Sequence, residues 1–187
     1  MSKKTIFYDS IVYIQRKVKE ILNKVSNVEI EKVKKLFFTS NRIFLYGAGR
    51  SGLVAKAFAI RLMHLGFQTF VIGETITAPV QKGDLVIIIS GSGETIPAVM
   101  TAEIARNLEA SVVSITGKRK SDIARFADIT LYISASCNDV ERKKFAPLGT
   151  LFEASVWILL DGLIADLLES KKETETDMRG RHATLQQ

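Results

Sequence analysis

Residues 85–95 read LVIIISGSGET. Five apolar residues come first, four of them β-branched, with no polar position between them. Such a run is too short for an ordinary helix and too uniformly apolar for a strand with one wet face. It predicts a strand buried on both sides. The run breaks at Ser90-Gly91-Ser92-Gly93, and helical spacing takes over from Ile96 to Leu108.

Similar short runs recur on both sides of this stretch. Ile43 to Tyr46 and Thr69 to Ile72 precede it, and Ser111 to Ile115 and Ile129 to Ile133 follow. Leu53 to Leu65 and Ser121 to Phe126 read as helices between them. Buried strands alternating with helices predict an α/β fold: a doubly wound, five-stranded parallel sheet. Right-handed crossovers then place helices on both faces. Ligands of such sheets bind beyond the carboxyl ends of the strands, where the strand order reverses. The glycine-rich breaks after the first and third strands belong at that edge.

Residues 1–40 form a helical leader, with apolar residues at three- and four-residue steps from Ile11 to Val25 and again from Val28 to Phe37. That stripe must be buried on the core or on another subunit. After the sheet region, 42–133, Ser134 to Pro147 reads as irregular. A long helix covers about Gly149 to Ser170, and a polar tail runs through 171–187. The whole chain, 1–187, reads as a single domain.

Composition excludes several classes. With 187 residues, 47% hydrophobic and 25% charged, the chain is of ordinary globular type. No apolar segment approaches the ~18–20 residues needed to span a bilayer, and the N-terminus lacks an apolar signal region. The expectation is a cytoplasmic protein with no membrane partner. Cys137 is the only cysteine and reads as a bystander. The net charge of +6 comes from scattered lysines with no stacking aromatics between them, which argues against nucleic acid and for attraction of small anions.

Two loops carry the chemistry. Gly47-Ala48-Gly49-Arg50-Ser51-Gly52 satisfies the dinucleotide fingerprint, and Glu74 can pose as its ribose-binding acid. A helix start of this kind is also a general anion site, with Gly49, Arg50 and Ser51 as substrate-binding candidates. The second loop discriminates. Ser90, Ser92 and Thr95 offer three hydroxyls, and Gly91 and Gly93 let the backbone turn closely around a ligand. Three donors suit the three terminal oxygens of a phosphomonoester, and a dinucleotide has no evident use for them.

Both loops resemble those of the SIS (sugar isomerase) domain family. RSGLVAKAFAIRLMHLGF, VIGETITAPVQKGDLVIIISGSGET, FAPLGTLFEAS and the terminal RHATL resemble, more closely, its 6-phospho-3-hexuloisomerase branch. The resemblance runs from Phe44 onward; the leader agrees only in being helical. It implies a flavodoxin-like strand order and interconversion of D-arabino-3-hexulose 6-phosphate and D-fructose 6-phosphate in the ribulose monophosphate pathway of formaldehyde fixation. It also implies a homotetramer with shared active sites, and 3-hexulose-6-phosphate synthase as functional neighbour. Arabinose 5-phosphate isomerases of the same family usually add regulatory domains, for which this length leaves no room. A non-catalytic sugar-phosphate-binding module and a dinucleotide-dependent oxidoreductase are the rival readings.

Moving a ketone from carbon 3 to carbon 2 needs a base and an acid around an enediol. Glu153 stands in the first turn of an otherwise apolar helix. Acids favour that position for the helix dipole alone, but the resemblance places a functional glutamate in this GTLFE motif. His182 lies in the polar tail, away from any packing pattern, and an imidazole is the side chain type best suited to shuttling protons. The RHATL match implies that it reaches an active site, a neighbouring subunit's. Which of the two takes the proton stays open. His64, between Met63 and Leu65, reads as structural. Two distant histidines lack the spacing of a metal site, so no metal or other cofactor is expected. Lys143, Glu74 and Thr75 are further pocket candidates.

Overall fold

A computed structural model describes residues 5–135 and 140–184. Cys137 lies outside the described residues. The strands are β1 (Ile43–Gly47), β2 (Thr69–Val71), β3 (Leu85–Ser90), β4 (Ser111–Thr116) and β5 (Ile129–Tyr132). They form one sheet in the order β2-β1-β3-β4-β5, with every pair parallel. The order reverses between β1 and β3, which defines the ligand-binding edge expected of such a sheet.

Register explains the uniform apolarity of the strands. Leu45, Ile87, Val113 and Ile129 lie side by side across the sheet and point into one core. Phe70, Phe44, Val86 and Val112 lie one residue away and point into the other. Leu85 to Ile89 are at most 1% exposed, because both faces of the central strand are covered. Full burial of each such side chain contributes about 1.5–3 kcal/mol.

The first core lies under α1 (Ile6–Leu22), α2 (Asn27–Thr39), α3 (Arg50–His64) and α7 (Thr150–Lys171). The second lies under α4 (Ile96–Asn107) and α5 (Asp122–Phe126). The leader buries Tyr13, Ile21, Val33 and Phe37 in the first core, which settles where its stripe goes. Near its start α1 leaves Ile6, Phe7, Tyr8 and Val12 exposed.

Two local differences from the sequence reading have physical reasons. The stretch read as irregular contains α6 (Val140–Phe145), which buries no residue and so shows no apolar period. The polar tail contains α8 (Glu175–Gly180), started by a reciprocal capping box between Thr174 and Asp177. The link from β2 to β3 has no helix; Ile72, Ala78 and Val80 cover the second core there. At the amino ends of β1 and β3, Arg42 grips buried Asp84 with two hydrogen bonds of 3.1 and 2.6 Å. Among the described residues no helix is long and apolar enough to cross a membrane.

Candidate active site

The two glycine loops leave the carboxyl ends of β1 and β3, on either side of the switch in strand order. In the first, a Cβ on Gly52 would stand 2.6 Å from the Gly47 carbonyl oxygen. These glycines let α3 start hard against β1, so the fingerprint spacing is explained by packing. Gly49 caps α3 at φ +56° and ψ −130°, a conformation open in practice to glycine alone.

The second loop is held from behind. Gly117 N donates to the Gly91 carbonyl at 3.1 Å, and Ile123 N to the Gly93 carbonyl at 3.0 Å. Gly93, at φ +68°, lies so close to Ser121 and Thr116 that a Cβ would come within 2.4 Å of Ser121 Cβ. Buried Ser90 accepts from Gly93 N at 3.1 Å and lies 3.3 Å from Thr95 Oγ1. Ser92 Oγ is also 3.3 Å from Thr95 Oγ1. With both glycine carbonyls tied back toward β4 and α5, the loop turns a hydroxyl-bearing face to the solvent side.

α7 brings the carboxylate to this loop. Gly91 leaves room for the Phe152 ring, which a Cβ would meet at 3.1 Å. Phe152 therefore packs on the loop itself, and its neighbour Glu153 follows. The Glu153 side chain is only 13% exposed and pairs with Arg50 Nε at the start of α3. Gly149 gives the carboxylate space; a Cβ there would stand 2.9 Å from Glu153 Oε1.

Glu153 stands where two cavities meet. One, of about 360 Å³, is lined by Ser51, Gly91, Ser92, Lys118, Phe152 and Glu153, with Gly117, Ala135 and Gly149 completing the wall. The other, of about 400 Å³, includes Arg50, Leu53, Thr150, Glu153 and Trp157. Each has the size of a small-molecule site. Among the described residues, no group of three or more His, Cys, Asp and Glu is placed to hold a metal ion.

The structure thus gathers Ser51, Gly91, Ser92 and Glu153 around one cavity, with Arg50 paired to Glu153 from the adjoining one. Ser90, Gly93, Thr95 and Gly49 build the frame of the loops. Glu74 pairs with Lys56 at 2.5 Å; neither it nor Thr75 lines either cavity, and exposed Lys143 lines neither. His182 lies elsewhere in its own chain. Its ring stacks on buried His64, with centroids 4.9 Å apart. Arg181 fixes the tail there, donating to the His64 carbonyl at 2.9 Å and pairing with Glu173. Burial first, then His182 and Arg61, hold the His64 imidazole below its ordinary value. Fourteen residues of α3 separate His64 from Arg50, about 20 Å at 1.5 Å per residue. Lys118 escaped the sequence reading; its one signal was a glycine, Gly117, ending the fourth strand.

Residues 36–151 match the family model of the SIS domain. The chain belongs to the SIS domain family. Its SIS relatives include the 3-hexulose-6-phosphate isomerase of Bacillus subtilis, 40% identical over 90% of this chain and 97% of that protein. The 3-hexulose-6-phosphate isomerase of Methylomonas aminofaciens is 36% identical over 91% of this chain and 94% of its own. Among solved structures, a hypothetical protein of Methanococcus jannaschii superposes with a TM-score of 0.85 and 30% identity, covering 95% of this chain and 99% of its own. Its structural report infers the function of a 3-hexulose-6-phosphate isomerase. In each case the likeness spans nearly the full chain.

Proposed function

We propose that this chain is a sugar-phosphate isomerase that interconverts D-arabino-3-hexulose 6-phosphate and D-fructose 6-phosphate. The observation that carries the proposal is the placement of Glu153, a shielded carboxylate at the junction of two cavities and beside a hydroxyl-lined anion loop. The named SIS relatives give the specific sugar.

The phosphate sits on the loop from Gly91 to Thr95, where Ser92 donates a hydroxyl, Ser51 at the start of α3 donates another, and tied-back glycines keep the backbone open. The sugar then extends toward Glu153. Glu153 takes the carbon-2 proton while the second proton-transfer group protonates the carbon-3 carbonyl oxygen, giving an enediol across carbons 2 and 3. A proton is delivered to carbon 3 while the carbon-2 hydroxyl gives up its own, leaving the ketone at carbon 2. Arg50 holds the Glu153 carboxylate in place and offers a cation to the oxygen that gains charge. His182 serves as the second proton-transfer group in a neighbouring subunit's site, within a homotetramer. Two features support that arrangement: the distance of His182 from its own Glu153, and exposed apolar residues on α1 and on α4, where Ile96, Met100 and Ile104 face outward. The substrate comes from addition of formaldehyde to ribulose 5-phosphate, the chemistry of 3-hexulose-6-phosphate synthase, in the cytoplasm.

The test is to generate the hexulose phosphate with that synthase and follow fructose 6-phosphate in a coupled assay. Wild-type protein forms product. Glu153→Gln retains phosphate binding and loses most turnover, by the 10²- to 10⁴-fold typical of a general base. Sugar-phosphate binding without product from folded wild-type protein would leave a binding module in place of an enzyme.

A further inference from the structure

The cavity beside the hydroxyl loop contains a cation that is already engaged. Lys118 is the one cation among the described residues that line it. The turn that carries Lys118 is tied to the loop, since Gly117 N donates to Gly91 O at 3.1 Å and Lys118 N to Thr116 Oγ1 at 3.3 Å. The Lys118 ammonium lies 2.6 Å from Glu94 Oε1, and both side chains are 51% exposed. Glu94 belongs to the loop but does not line the cavity.

An ion pair this exposed holds its partners weakly, because water competes for both. A phosphomonoester dianion brings more charge and three acceptor oxygens to the same ammonium. Bound on Ser92 and Ser51, it would stand in the cavity that Lys118 lines and Glu94 does not. Exchange of partners then needs only rotation of a flexible four-carbon stem.

We propose that Lys118 is a phosphate-binding residue of this site, held by Glu94 in the empty protein and transferred to the substrate's phosphate on binding. The pair makes selection for phosphorylated ligands a matter of exchange: an uncharged sugar has nothing with which to draw Lys118 off Glu94. The identity of the sugar rests on the isomerase reading; recognition of the phosphate does not.

Calorimetric titration with inorganic phosphate tests the two separately. Lys118→Ala weakens phosphate binding about tenfold, the scale of one charge-assisted hydrogen bond at a partly solvated site. In the coupled assay the same variant raises KM by a similar factor and leaves kcat within about twofold, since the lost contact is made equally in ground and transition states. Lys118→Arg restores most of the phosphate affinity. Glu94→Gln removes the competitor and tightens phosphate binding about threefold, the scale of an exposed ion pair, and this gain disappears when Lys118 is also alanine. Unchanged phosphate affinity in Lys118→Ala overturns the proposal. So does a gain from Glu94→Gln that survives loss of Lys118, or a wild-type protein that binds no phosphate. Phosphate binding that depends on Lys118, in a protein that converts no hexulose phosphate, keeps this site and removes the isomerase reading.

Discussion

Substituting Gly149 by alanine probes the position of Glu153 without touching its chemistry. Gly149 has φ −82° and ψ 5°, which alanine adopts without strain. Replacing a helix-capping glycine by alanine costs roughly 1 kcal/mol at most, and the lower freedom of the unfolded chain returns about 0.4–1 kcal/mol. Global stability should therefore hardly move. The site should move, because the new Cβ would stand 2.9 Å from Glu153 Oε1 and 3.2 Å from its carboxyl carbon, against about 3.4 Å for ordinary contact. A free carboxylate would swing aside at little cost, but Arg50 holds this one. A forced displacement of about 0.5 Å should lower kcat about tenfold, given that a misplacement of about 1 Å costs near a hundredfold. KM and the affinity for inorganic phosphate should stay within about twofold, since the hydroxyl loop is untouched. The assay is the coupled measurement of fructose 6-phosphate, with a thermal melt alongside. A wild-type kcat in a variant that melts normally would refute the reasoning, because the rate would then not depend on where Glu153 is held.

Other outcomes follow from other parts of the molecule. Ser92→Ala combined with Thr95→Ala should raise KM about tenfold or more, on the scale of hydrogen bonds to a charged group, with a smaller change in kcat; steady-state kinetics separates the two. Asp84→Ala should destabilise the fold by about 3 kcal/mol, because it strands a mostly buried Arg42; urea denaturation measures this. His64 gives a pH effect of defined sign. Its folded value lies below its ordinary one, chiefly through burial, so the unfolded chain binds the proton first. Its contribution is complete above about pH 6.5 and fades as the pH falls through the lowered folded value. His64→Phe keeps a ring against His182 but cannot titrate, so its melting temperature should fall less than wild type between pH 7 and pH 5.

What the sequence disclosed follows from how local each signal is. Leu85 to Ile89 announce a buried strand because a central parallel strand has no wet face, and the switch-point loops follow from the strand ends. Glu153 stood out because it is the one charged residue from Leu151 to Leu160 in its helix. α6 was hidden because it buries nothing, and α8 because its start depends on a two-residue cap instead of an apolar stripe. Lys118 looked like one scattered lysine among many; it reaches the cavity only through a turn tied to a loop 26 residues earlier, by the Gly117–Gly91 bond. His182 read as a residue of a polar tail; its stacking on buried His64 joins positions 118 residues apart, a contact with no local signature.

Trp157 lines the same cavity as Arg50 and Glu153, with 45% of its surface open to water. It is the only tryptophan in the chain. Indole emission from this protein therefore originates at a single place, beside the carboxylate assigned to proton transfer. Any event that dries that cavity, whether a sugar entering or a second chain closing over it, changes the polarity around the one fluorophore and shifts its spectrum. Occupancy of the site can be followed in real time, in unlabelled protein, by light alone.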